Sequence, residues 1–284
     1  MKHLKLFENF EIVDPIKDGQ PLNNREINFL KGYNIMCPEF ILKDDNYYYV
    51  HDHRCENIKD VPLTYIHGVC SKYNITNYTI NDDYTIDVVG SVCISNRKLT
   101  KIPLKFNKVS KHFNCNDNNL TTLEGSPESV GWSFWCYSNQ LTTLEGGPKE
   151  VVSSFGCDHN KLTTLEGSPE SINGDFNCND NQLTTLEGGP KWVGDDFLCR
   201  DNNLTTLEGS PKEVGGGFYC HSNSLTTLIG SPKRVGGFFD CSYNKLTTLD
   251  GGPKYVGGNF YCGNNSLTSV EYTGIIRGNL IYNQ

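Results

Sequence analysis

The sequence predicts a solenoid of stacked, mainly β coils preceded by a small α+β capping domain, and three observations carry that reading. Leu120, Leu141, Leu162, Leu183, Leu204, Leu225, Leu246 and Leu267 recur at a constant interval of 21 residues. Five residues before each stands a cysteine: Cys115, Cys136, Cys157, Cys178, Cys199, Cys220, Cys241 and Cys262. Two before stands an asparagine: Asn118, Asn139, Asn160, Asn181, Asn202, Asn223, Asn244 and Asn265. A phenylalanine, from Phe113 to Phe260, keeps the same step. A period in this range marks units that bury their apolar face only against their neighbours, so they must stack.

Residues 1–87 lack the repeat and form the predicted cap. Leu4, Phe7 and Phe10 have helical spacing, and Asn23 to Gly32 reads as a capped helix. Tyr47 to Val50 reads as a strand. From Leu63 through Ile66, Val69, Cys70 and Tyr73 the apolar period is again helical, and Tyr78–Ile80 with Thr85–Val88 forms a hairpin around Asn81-Asp82-Asp83. Such a segment is expected to cover the first coil, whose apolar surface and strand groups an open end would expose. His51, His53, Cys55, His67 and Cys70 can be drawn as a zinc site, but their spacings match no zinc pattern, and neither a metal nor a cofactor is expected.

Residues 88–284 form the predicted solenoid. Val88, Val92, Ile94 and Leu99 each stand 21 residues before Val109, Phe113, Cys115 and Leu120, so a degenerate coil opens it, with Ile94 at the cysteine position and Arg97 at the asparagine position. Written from its valine, the unit is Val-x-x-x-Phe-x-Cys-x-x-Asn-x-Leu-Thr-Thr-Leu-Glu-Gly-x-Pro-Lys-x. Phe-x-Cys predicts a short strand with alternate residues inward, paired in parallel with the next coil. Inward Val, Phe, Cys and Leu make columns, and burying one such large side chain stabilises by roughly 1.5–3 kcal/mol. The asparagine is expected to turn inward and bond the backbone at the strand end. Gly125 and Pro127, with their counterparts through Gly251 and Pro253, turn the chain. Too few residues remain for a helix in each coil, so the return side is expected to be extended or 3₁₀. Leu280 and Tyr282 fall at the Phe and Cys positions of a last strand, where the bulk of Tyr282 would help close the end. An edge left open there is compatible with a homodimer through it.

Cysteine at one phase of a stack forms a column with neighbours about 4.8 Å apart. One thiol per coil makes no tetrahedral cluster, so these cysteines read as small buried hydrophobes.

Phe-x-Cys-x-x-Asn-x-Leu-x-x-Leu resembles the leucine-rich repeat consensus Leu-x-Leu-x-x-Asn-x-Leu, and Leu99-Thr100-Lys101-Ile102-Pro103-Leu104-Lys105-Phe106 matches its Leu-x-x-Ile-Pro-x-x-Phe form. The short unit is similar to the repeats of secreted bacterial effectors. The near-identical copies and the entry segment Asp87 to Val92 are similar to leucine-rich repeat proteins encoded by bacteriophages and giant viruses. The resemblance covers about 88–284. It implies a non-enzymatic protein-interaction scaffold whose ligand surface is the concave face, made of the outward strand positions.

Those positions vary while the framework does not. They carry Trp135 and Tyr137, then Ser154, Asp158 and His159, then Asp175, Asn177 and Asp180, then Asp196, Arg200 and Asp201. Tyr219, His221, Phe238, Asp240, Tyr243 and Tyr261 follow. An acidic centre flanked by aromatic groups predicts a protein partner of basic character. His159 is expected near Asp158 and Asp180, but no nucleophile with a positioned base is identifiable, so no catalytic residue is assigned. A structural, virion-associated assembly role is one alternative. Binding of ice or glycan by the Thr-Thr column, Thr121-Thr122 to Thr247-Thr248, is another, although outward solvation and β-propensity explain adjacent threonines more simply.

A net charge of −8 and a pI near 5.4 argue against nucleic acid. No apolar run approaches a membrane span. Met1 to Phe10 is too short an apolar stretch, with Glu8 inside it, for a signal peptide. Reduced thiols in the cytoplasm of a host or infected cell are therefore expected, and a virion location is compatible.

Overall fold

The computed structural model describes residues 40–43, 46–49 and 61–282. The chain divides into two compact units, Met1–Asn74 with Thr79–Ile86, and Ile75–Tyr78 with Asp87–Gln284. In the first, strands Phe40–Lys43 and Asn46–Tyr49 pair antiparallel. The helix Val61–Lys72 begins with Pro62 in its first turn, where a missing amide costs nothing. It buries Ile66, Val69 and Cys70 along one face, and ends at Asn74 in the left-handed region, φ 54°. In the hairpin between Tyr78–Ile80 and Ile86–Val88, the Asn81 amide donates to the Thr85 carbonyl at 2.8 Å. The helical patterns expected in residues 4–32, and His51, His53 and Cys55, lie outside the described residues. His67 is exposed and Cys70 is buried.

The second unit is a parallel solenoid of stacked 21-residue coils. One strand per coil, Val92–Cys93, Phe113–Asn114 and so on to Leu280–Ile281, builds a 10-stranded sheet in which each phenylalanine pairs with its counterpart one coil away. The return side is extended, with a second short strand at each valine. These strands form one sheet through Glu150–Val151 and another from Ser171–Ile172 to Ile275–Ile276. Among the described residues no 3₁₀ turn occurs.

Between the sheets, Phe113, Phe134 and Phe155 stack at 5.5 and 5.2 Å, and the column continues to Phe260. All eight ladder cysteines are buried, and none is in a disulfide. Cys115, Cys157, Cys178 and Cys241 each point the thiol at a carbonyl one coil on, at 3.3–3.4 Å. Ile94, buried in the first coil, confirms the apolar nature of the position.

The asparagine ladder joins coils. Asn160 accepts from the Leu141 amide at 3.0 Å and donates to the carbonyls of Cys136 and Cys157 at 3.1 and 3.0 Å. The other seven repeat the pattern, and Asn118 serves the first coil by accepting from the Arg97 and Leu99 amides at 2.9 and 3.0 Å.

Two expectations are corrected. The C-terminal end is covered by Tyr272, whose ring meets Phe260 edge-on at 4.9 Å and whose hydroxyl donates to the Pro253 carbonyl. Tyr282, 48 % exposed, closes nothing, although Leu280 does take the phenylalanine register. The Thr-Thr pairs lie outside the strands, just before the Glu-Gly turns: the Thr122 and Thr164 hydroxyls accept from the Glu124 and Glu166 amides at 3.1 and 3.2 Å. Turn capping, not β-propensity, therefore selects the second threonine.

Candidate functional site

The outward face of the phenylalanine strands carries the residues singled out from the sequence, in four columns with distinct backbone duties. The residue before the phenylalanine forms a second polar ladder, interrupted at Gly217 and Phe238. Ser154 Oγ accepts from the Asp175 amide at 3.2 Å, Asp175 Oδ1 from the Asp196 amide at 3.0 Å, and Asp196 Oδ1 from the Gly217 amide at 2.6 Å. The second residue after each cysteine is left-handed in every coil. Asp117, Ser138, His159, Asp180, Asp201, Ser222, Tyr243 and Asn264 all have φ of 51–55°. Asp, Asn and His tolerate that region best among residues with a Cβ. Backbone geometry thus accounts for Asp180, Asp201 and His159 before any ligand does. It does not account for Tyr243, a bulky ring 60 % exposed.

Charge on the face is partly cancelled. The His159 ring lies between two carboxylates, Nδ1 at 2.8 Å from Asp158 and Nε2 at 3.6 Å from Asp180. Arg200 reaches Asp180 at 3.9 Å and Asp201 at 2.6 Å. The expected approach of His159 to both acids is therefore found, as part of a ribbon of polar contacts crossing three coils. Both ring partners of His159 are carboxylates, which leaves it no nucleophile to activate. Asp240 holds the Ser242 amide through Oδ1 at 3.0 Å and lies 3.4 Å from His221 Nδ1 through Oδ2.

Sequence reasoning missed what seats the aromatic groups. A Cβ on Gly156 would stand 2.8 Å from the Trp135 ring, one on Gly217 2.6 Å from the Tyr219 ring, and one on Gly258 2.6 Å from the Phe238 ring. Each ring lies on a glycine of its own or the next coil. Phe238 also meets Tyr261 edge-on at 6.0 Å, and Tyr261 Oη accepts from Asn259 Nδ2 at 2.9 Å. The legible signal was glycine at variable outward positions beside an aromatic. Burial raises the Tyr137 and Tyr219 phenols above their ordinary value, and neighbouring carboxylates add to the effect, Asp117 and Asp158 at Tyr137 and chiefly Asp196 and Asp240 at Tyr219.

Among the described residues no three His, Cys, Asp or Glu side chains are gathered to hold a metal ion. No described helix is long and apolar enough to cross a membrane.

No family model matches the chain, and no curated protein matches it. Among solved structures, the chain is similar to YopM from Yersinia enterocolitica WA-314, at 14 % identity and a TM-score of 0.40. The match covers 69 % of this chain and 65 % of that one, less than two thirds of its length.

Proposed function

We propose that the protein is a non-enzymatic interaction scaffold that binds a protein partner through the outward face of its phenylalanine strands, the concave face expected of a leucine-rich repeat. The observation that carries this reading is the set of partly exposed rings seated on glycines, Trp135 on Gly156, Tyr219 on Gly217 and Phe238 on Gly258. Neither the core nor the ladders need a ring at these positions. Rings already held in place lose little freedom on binding, which is what makes aromatic residues effective anchors. Tyr243 supports the same conclusion, since it occupies a left-handed position that small polar residues or histidine fill in the other coils. The unpaired thiol ladder suits a reducing compartment.

Replacing Trp135, Tyr219 and Tyr261 together by alanine is expected to abolish capture of the partner while the circular dichroism spectrum and melting temperature stay near those of the unmodified chain. Capture retained by the folded triple variant would refute the assignment of this face.

A further inference from the structure

The carboxylates of the outward face fall into two groups. Asp180 and Asp201 are paired within the chain with Arg200, and Asp158 lies beside the His159 ring. Asp175 and Asp196 have no cation of this chain within ion-pair distance among the described residues, and Asp240 has only His221, at 3.4 Å. The uncompensated Asp175 and Asp196 share their coils with the paired Asp180 and Asp201, but stand before the phenylalanine rather than after the cysteine.

They are also preorganised. Asp196 Oδ1 is fixed by the Gly217 amide at 2.6 Å, and Asp240 Oδ1 by the Ser242 amide and hydroxyl at 3.0 and 2.5 Å. The second oxygen of Asp196 is left to meet something else, whereas that of Asp240 faces His221 Nδ1 at 3.4 Å. Between them lies Tyr219, whose strand pairs with that of Asp240 on one side and whose ring covers Gly217, the residue that Asp196 holds. Coils repeat about every 4.8 Å, so one carboxylate stands a coil before the ring and the other a coil after it. Phe238 and Tyr261 meet edge-on in the two coils that follow. An aromatic face flanked by two fixed anionic oxygens is complementary to a planar cation, which stacks on the ring while its N–H groups reach the carboxylates. Guanidinium fits that description better than ammonium, being planar, weakly hydrated and forked.

We infer that Tyr219, flanked by Asp196 and Asp240 and seated on Gly217, is a subsite that takes an arginine side chain of the partner. The inference rests on the reading of this face as the binding surface and adds the chemistry of what is bound.

Fluorescence anisotropy on the full chain tests it, with a labelled peptide of alternating glycine and arginine as probe and its glycine–citrulline counterpart as the neutral isostere. The arginine peptide is expected to bind and the citrulline peptide is not. D196N combined with D240N keeps the ladder acceptors and removes both charges, and should weaken binding by about tenfold or more. E150Q combined with E213Q removes the same charge from the valine-strand side and should leave binding unchanged. G217A pushes the Tyr219 ring off its seat and should weaken binding with an unaltered melting temperature. Equal binding of the two peptides, or of the two double variants, would overturn the subsite. So would undiminished probe binding by D196N/D240N alongside loss of partner capture by the Trp135, Tyr219 and Tyr261 variant, an outcome that leaves the reading of the face standing.

Discussion

At the scale of single residues, the fold rests on polar groups as much as on apolar ones. Asn160 saturates one amide and two cysteine carbonyls where the strand ends. Replacing it by alanine strands all three, and a loss on the order of 3 kcal/mol is expected from urea denaturation. Gln140→Ala, at an exposed position, should change stability by less than about 0.5 kcal/mol. The thiols make a second residue-scale prediction. Burial, and after it neighbouring thiols and Asp158, push Cys157 well above its ordinary value of 9.0, and burial and then Asp240 push Cys262 to about 11. Above pH 9 the unfolded chain gives up these protons while the folded chain keeps them. Stability is therefore whole below pH 9 and falls as pH rises toward the folded values, by about 1.4 kcal/mol per pH unit for each fully retained proton. Urea midpoints at pH 7.5, 9 and 10.5 should show the decline, and Cys157→Ala should make it shallower. A slope unchanged by that substitution would contradict the account. In the native state Ellman's reagent should find Cys93, which is exposed, and leave the eight ladder thiols untouched.

At the scale of the coil, the framework was legible because it is copied: the same letters at the same phase name the phenylalanine, cysteine, asparagine and leucine columns. The second polar ladder was not, because its duty is to offer one acceptor atom, which serine, aspartate and asparagine all supply at Ser154, Asp175, Asp196 and Asn259. No constant letter marks it, so its acids read as free binding groups. Left-handed backbone at the second residue after cysteine hid for the same reason behind Asp, Ser, His and Asn. Tyr272 escaped notice because the unit around it has lost its register. Turn glycines carry a prediction at this scale. Gly188 has φ +81°, and a Cβ there would stand 2.6 Å from the Glu166 amide nitrogen of the preceding coil. Gly188→Ala should cost about 1–3 kcal/mol by chemical denaturation, because the obstacle is backbone that cannot rotate away.

At the scale of the molecule, one architecture separates two layers. Inward columns and ladders hold the stack, and the outward gaps between them hold Trp135, Tyr219, Phe238, Tyr243 and Tyr261. The aromatic part of this second layer was visible in the sequence, whereas the distribution of usable charge was not. Arg200 pairs with Asp201 in its own coil and with Asp180 across coils, whereas Asp196 beside Tyr219 meets no cation of this chain among the described residues. Rings also stand on the valine-strand side, at Trp132, Trp192 and Tyr255, so exposure of aromatic surface does not by itself choose a face. The most direct measurement compares quantitative partner capture by two folded triple variants, one with alanine at Trp135, Tyr219 and Tyr261 and one with alanine at Trp132, Trp192 and Tyr255. The first should lose the partner and the second should retain it. Retention by the first with loss by the second would contradict the claim that the phenylalanine-strand face is the binding surface.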